Sequence, residues 1–308
     1  MRFAMSIPQF HADGEFDPAA FRTHLTRVEE LGFHSAWAQE QPLGTRPQLG
    51  PLEAMAFAAA CTQRLRLGCS VLVSTLHSPV HLAKSIASLD QLSRGRIEAG
   101  FGTGGPRRPF AAFGVAPERY ASRFYEGMEV MTRLWRDSRV DFSGEFWQLD
   151  DAAMEPKPFQ KPFPPLWFGG SGRTALRRAV ASPGLFTGFF GAGQVRTETF
   201  AEQVGTVRQA LAESGRPLEA FGIAKRVYIA VDDDSRRARD RIDAELAALY
   251  MRKSPGIEAA AIAGTPAECV RSLREVVTAG AELILFTPLF EASEQTERLA
   301  AEVLPRLG

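Results

Sequence analysis

Short apolar, β-prone runs alternate with segments of helical period along almost the whole chain, and this alternation limits the fold more than any other feature. The runs cover residues 2–7, 34–38, 65–73, 96–100, 165–168, 185–190, 225–231 and 283–287. The stretches between them are long enough for crossover helices, so the strands they join are parallel. Eight such units predict an α/β fold of (β/α)8 barrel type, and a barrel fills a chain of 308 residues as one domain, residues 1–308.

The helix signals agree. Asp17 is a capping residue, Pro18 suits a first turn, Phe21, Leu25, Val28 and Leu31 form one apolar stripe, and Gly32 ends it. A second helix starts at Ser78-Pro79, carries Leu82, Ile86 and Leu89, and stops at the Ser93-Arg94-Gly95-Arg96 turn. Thr265-Pro266-Ala267-Glu268 has the spacing of a capping box before Val270, Leu273 and Val277. Between residues 140 and 149, Ser143-Gly144 separates two apolar-aromatic runs, which predicts a small hairpin inserted before the fifth strand. Pro156, Pro158, Pro162, Pro164 and Pro165 then mark an extended approach to that strand.

Composition removes several classes of function. Thirty-six Lys and Arg balance thirty-six Asp and Glu, leaving no positive excess for a phosphate backbone or an anionic membrane. The longest apolar stretches, such as residues 283–286, are far below the roughly 18 residues of a membrane span. Residues 1–10 reach Pro8 and Gln9 before a signal-peptide core forms. Cys61, Cys69 and Cys269 are odd in number and widely spaced, which suits a reducing, cytoplasmic setting better than a disulfide framework. His77 and His81 are four residues apart, but Pro79 intervenes and no carboxylate completes a metal motif, so no metal site is expected.

Several segments then resemble one family, in order, over essentially the whole chain: residues 3–10 (FAMSIPQF), 30–40 (ELGFHSAWAQE), 65–72 (LRLGCSVL), 77–100 (HSPVHLAKSIASLDQLSRGRIEAG), 165–178 (PLWFGGSGRTALRR) and 264–269 (GTPAEC). The most specific are the Ser-Pro-Val-x-Leu-Ala-Lys and Leu-Asp-Gln-Leu-Ser-x-Gly-Arg stretches. The chain thus resembles the bacterial luciferase-like oxidoreductases. The resemblance implies a barrel that binds FMN, or the deazaflavin F420, and reacts with oxygen or by hydride transfer. It further implies a small-molecule substrate, a frequent homodimer and, for the oxygen chemistry, a separate flavin reductase.

In such barrels the strand C-termini form the active face. Gly169-Gly170-Ser171 precedes a helix starting near Arg173, so its N–H groups can cradle a cofactor phosphate, the alternative being a tight turn. Gly100-Phe101-Gly102-Thr103-Gly104-Gly105 satisfies G-x-G-x-x-G, but the following Pro106-Arg107-Arg108-Pro109 opposes the helix of a dinucleotide turn. The resemblance places Gly102 and Thr103 beside the cofactor ring. It also makes Gly105 a departure from the sugar-phosphate dehydrogenase branch, which carries an acidic proton donor there. Ser70-Val71 falls where many members have a bulge and a non-prolyl cis peptide supporting the ring. Glu40-Gln41 ends the second strand where members often show Glu-His or Asp-His. Gln41 cannot carry a proton at physiological pH, so a His-type acid or base is absent or comes from elsewhere. Glu40 is a candidate base and His11 the nearest other titrating group. Phe10, Phe190 and Arg107 are candidate substrate contacts, and the aromatic residues near the strand ends suggest an apolar or aromatic substrate. The leading expectation is therefore reduced FMN with oxygen in a desolvated pocket. F420-dependent hydride transfer and a non-catalytic flavin-binding barrel are the alternatives.

Overall fold

The computed structural model describes residues 1–10, 15–104, 110–182, 184–250, 253 and 255–307. Its strands are β1 Arg2–Ser6, β2 Ser35–Ala38, β3 Arg66–Val73, β4 Ile97–Gly102, β5 Val140–Ser143, β6 Gln148–Ala152, β7 Leu166–Gly169, β8 Gly188–Gly191, β9 Gly222–Val231, β10 Ile262–Gly264 and β11 Leu283–Thr287. The helices are α1 Pro18–Glu30, α2 Pro51–Cys61, α3 Pro79–Leu92, α4 Tyr120–Arg136, α5 Arg173–Ala181, α6 Thr197–Glu213, α7 Ser235–Leu249, α8 Pro255–Glu258, α9 Pro266–Thr278 and α10 Ala292–Arg298.

Eight parallel strands close in the order β1-β2-β3-β4-β7-β8-β9-β11, with β11 pairing back onto β1 and β8 onto β9. The expected (β/α)8 barrel is present, and so is the hairpin, as antiparallel β5 and β6. One strand was not expected: β10 pairs with the outer end of β9, Ile262 opposite Ile229, beyond the stretch that β11 covers. The Ile262-Ala263-Gly264 run is too short and too mixed to show an alternating pattern, and it is a strand only because β9 outlasts its neighbour.

Local chemistry sets the element ends as the sequence predicts. Asp17 accepts from Ala19 N at 2.8 Å and Ala20 N at 3.2 Å, and Gly32 closes the turn after α1 with φ +80°. Thr265 and Glu268 form the reciprocal capping box of α9. The Leu-Asp-Gln-Leu-Ser-x-Gly-Arg stretch works at the opposite end of the barrel from the active face. Asp90 is fully buried and accepts from Gln160 N and Nε2, each at 2.8 Å, which ties the proline-rich segment down. Arg96, just before β4, donates to Ala59 O, Thr62 Oγ1 and Leu65 O, each at 2.9 Å. This motif builds the fold rather than the site.

The main apolar core lies between strands and helices, but a separate cluster fills the barrel interior: Ala4, Trp37, Trp167, Phe190, Ala224, Leu283 and Leu285. Trp37 and Trp167 meet edge to face at 6.0 Å, and Phe190 packs on both, at 4.9 and 5.8 Å. Below them Glu98 accepts from Trp167 Nε1 at 2.8 Å and pairs with Arg66. Each indole lies across a glycine on the next strand, because Trp37 is in register with Gly68 and Trp167 with Gly188. A methyl on either glycine would come within 2.5 Å of the facing indole Cζ3 and 2.8 Å of a backbone carbonyl. Gly68→Ala and Gly188→Ala should therefore each lower stability by about 1–3 kcal/mol, an overpacking cost, in equilibrium urea unfolding. Alanine variants as stable as the parent would show that the indoles can move aside.

Candidate active site

Side chains alternate along each strand, so the interior-facing positions above the tryptophan layer follow from register. They are Gln39 on the continuation of β2, Ser70 on β3, Gly100 and Gly102 on β4, Gly169 on β7, Arg226 and Tyr228 on β9, and Thr287 on β11. The mouth thus has a glycine-lined wall along β4 and β7 and a polar wall along β9, β11 and β2.

Arg226 crosses the interior between these walls. Its guanidinium donates to Gln39 Oε1, to Ser70 O at 2.8 Å and to Ser70 Oγ at 3.2 Å, and the residue is 4 % exposed. Gln39 is itself fixed: its N–H donates to Gln9 Oε1 at 2.7 Å, and its carbonyl accepts from Gln9 Nε2 at 3.1 Å and Gln48 Nε2 at 3.0 Å.

The Ser70-Val71 peptide is cis, and the pairing of β3 with β4 slips between Cys69 and Leu72, so the bulge that the resemblance implied is present. The slip drives Val71 towards β4 and β7, where only glycine leaves room. A Cβ on Gly102 would lie 2.7 Å from Val71 Cγ2, one on Gly100 3.3 Å from Val71 Cγ1, and one on Gly169 would collide with Cγ1. Val71 and these glycines form one apolar shelf at the strand ends. Beside it, Thr75 Oγ1 donates to Thr103 O at 3.1 Å, and the buried hydroxyl of Ser74 has no partner.

Glu40 is turned away from the interior, with both oxygens engaged: Oε2 accepts from Val73 N at 2.5 Å, and Oε1 lies 2.6 Å from His77 Nε2. The imidazole beside Glu40 is thus that of His77, from the turn before α3. His77 is partly exposed, whereas Glu40 is buried. Gln41 folds over its own loop, with Nε2 2.6 Å from where a Gly44 Cβ would be.

Gly169, Gly170 and Ser171 lead into α5, whose cap residue is Gly172, with no side chain closing the first turn. A Cβ on Gly172 would meet nothing within 4 Å, so there is open space beside the start of α5. Gln203 holds the loop from α6 through Ser171 O at 3.4 Å. Of the candidate substrate contacts, Phe190 is buried in the tryptophan cluster, beneath the mouth rather than on its wall. Phe10 lies at the rim, bridged to Gln48 and covered by the Arg46 guanidinium at 5.3 Å. His11, Gly105 and Arg107 lie outside the described residues.

Gln9, Gln39, His77 and Arg226 were not singled out as site residues by the sequence. Arg226 did leave a signal: Lys225-Arg226 interrupts an otherwise apolar strand, and a charge on a strand buried on both faces needs a reason. His77 left none that spacing could reveal, because its partner is 37 residues away.

The sequence profile described as luciferase-like monooxygenase matches residues 1–256. The chain is 27 % identical to an F420-dependent glucose-6-phosphate dehydrogenase of Intrasporangium calvum, over 95 % of this chain and 96 % of that protein. It is 37 % identical to the uncharacterized protein Rv0953c of Mycobacterium tuberculosis, over 40 % of this chain and 44 % of that one. Among solved structures, the monooxygenase RslO1 of Streptomyces bottropensis superposes with a TM-score of 0.83 at 23 % identity, over all of both chains. An F420-dependent secondary alcohol dehydrogenase bound to an F420-acetone adduct superposes with a TM-score of 0.84 at 18 % identity, over all of this chain and 99 % of that one. At these identities the two superpositions establish the fold alone.

Lys225, pointing the other way from Arg226, closes the loop after β8. Its ammonium donates to Ala192 O at 2.5 Å and Val195 O at 2.7 Å, and lies 5.7 Å from the centre of the Phe200 ring. Burial, with Arg226 adding to it, draws its pKa down to about 7. The unfolded side chain titrates near 10.4, so between about pH 7 and 10 the unfolded chain holds the extra proton. Native stability therefore rises with pH across that window. Measured by urea unfolding at several pH values, the stability of the parent relative to Lys225→Met should climb from pH 7 to pH 10. A flat difference would mean that the two carbonyls keep the lysine charged.

Proposed function

The chain belongs to the luciferase-like monooxygenase family and is an oxidoreductase, and we propose that it uses reduced FMN and oxygen on an apolar or aromatic small molecule. The observation that carries this reading is the shelf of Val71 with Gly100, Gly102 and Gly169, a flat apolar surface at the C-terminal strand ends. Three features fit a flavin. The shelf suits the face of a ring system, the unpartnered Ser74 hydroxyl is a polar group in want of a ligand, and the uncapped start of α5 suits a terminal phosphate. Bound there, the cofactor would supply reducing equivalents; the rest is the work of the chain.

Gly169, Gly170 and Ser171 hold the phosphate end through their backbone. Val71, Gly102 and Thr103 seat the ring. The packed floor of Trp37, Trp167 and Phe190 excludes water from below, and Phe10 marks the substrate side. His77 takes the acid–base role for which Glu40 and His11 are the sequence's candidates. Glu40 orients it, since a carboxylate bonded to one ring nitrogen leaves the other to exchange a proton.

A second reading has its own support. The Intrasporangium dehydrogenase covers nearly the whole chain, and F420-dependent hydride transfer to or from an oxygen-bearing carbon calls for a proton relay of this kind. In that reading the same residues bind F420, and oxygen takes no part.

Equilibrium titration of the purified protein with oxidised FMN, reduced FMN and F420, followed by fluorescence, decides between them. Selective binding of FMN supports the first, selective binding of F420 replaces it with the second, and binding of neither by folded protein removes both. In His77→Gln and Glu40→Gln, cofactor binding should persist while turnover of the bound cofactor with substrate falls roughly 10²–10⁴-fold. Lost binding with turnover per bound cofactor intact would instead make the pair part of the binding frame.

A further inference from the structure

Arg226 presents an electrostatic problem that the described residues do not solve. A guanidinium stays charged at any ordinary pH, and burying a charge without a counter-ion is costly. Its acceptors are all neutral: an amide oxygen, a backbone carbonyl and a hydroxyl. Among the described residues no carboxylate pairs with it. Glu40, whose charge also reaches this end of the barrel, is committed to Val73 N and His77. The neighbouring Lys225 is no counter-ion, since a lysine is either positive or neutral.

Arg226 has aromatic and polar neighbours on β9 and β11. Tyr228, two residues on along the same face of β9, stands above it. Gly193 backs onto both: a Cβ there would lie 3.1 Å from Arg226 Cδ and 2.7 Å from Tyr228 Cε2. Tyr228 belongs to an apolar cluster joined at the rim by Phe10, Leu289 and Phe290. On the neighbouring strand β11, in register with Tyr228, Thr287 is 3 % exposed and its hydroxyl has no partner. On the adjacent strands β9 and β11, then, the described residues give a buried cation with no carboxylate partner and, two register positions further along, a buried hydroxyl with no partner.

We propose that Arg226 is the substrate anchor of this site and that the substrate is an aromatic or apolar molecule carrying an anionic oxygen, a carboxylate or an enolate. The anion supplies the counter-charge, Thr287 donates a hydrogen bond to it, and the apolar body packs against Tyr228 and Phe290. Three neutral acceptors, on Gln39 and Ser70, hold the guanidinium in place before the substrate arrives, and its position between β9 and β3 brings the anchored group up to the Val71 shelf. This rests on reading the barrel mouth as an oxidoreductase active site, but the anion site is testable without cofactor.

The experiment is calorimetric titration of the cofactor-free protein, at fixed ionic strength, with benzoate and acetate against their neutral isosteres benzamide and acetamide. Benzoate should bind and benzamide should not, and benzoate alone should raise the melting temperature. Arg226→Gln should weaken benzoate roughly ten- to a hundredfold, the scale of a charge-assisted hydrogen bond, and Arg226→Lys should retain part of the preference. The melting shift of the parent protein tests the idea even where a variant folds poorly. Equal binding of acid and amide, or an undiminished preference in folded Arg226→Gln, would overturn the proposal. So would loss of benzoate binding on loading with FMN or F420, which would assign the guanidinium to the cofactor. Arg226-dependent benzoate binding by a protein that takes up neither cofactor would keep the anion site and remove only the redox reading.

Discussion

A closed parallel barrel has an interior that its own side chains must fill, and here two tryptophans do most of the filling. Each indole lies across a glycine on the following strand, Trp37 on Gly68 and Trp167 on Gly188, so bulk from one strand occupies the space its neighbour leaves. With Phe190 between them they close the barrel at mid-height. Everything above is reached only from the C-terminal side. This is why the polar groups of the mouth face one compartment rather than a pore.

Above that floor the two walls differ because their residues do. On β4 and β7 the interior positions are glycine, and the slipped register of β3 pushes Val71 into the room they leave. On β9 and β11 the positions are Arg226, Tyr228 and Thr287, of which the Thr287 hydroxyl has no partner. Apolar surface on one side and polar groups on the other give a mouth with two distinct faces.

Much of the fold was legible because periodicity is local. All eight barrel strands, the hairpin, the Asp17 cap and the Thr265-Glu268 capping box follow from residues within a few positions of each other. β10 escaped because three residues show no period, and its existence depends on the length of β9. The site was legible only in part. Its strand-end placement and the Ser70-Val71 bulge were expected from position and resemblance, whereas the His77 pairing with Glu40 was not, since that contact spans 37 residues. Gln39 likewise reads as one more polar residue until register brings the Arg226 guanidinium to it. Phe190 reads as a wall residue until alternation places it in the floor.

By itself, then, the sequence determined the alternating elements, hence the barrel, and the end of it at which the candidate site lies. Hydrophobic period, caps and turns act over one or two turns of chain and carry that information without the rest of the molecule. The tertiary structure decided which imidazole faces Glu40, which glycines admit Val71 and where the Arg226 guanidinium is held. Those depend on strand register and closure, which bring together residues far apart in the chain, and no local pattern encodes the distance between them.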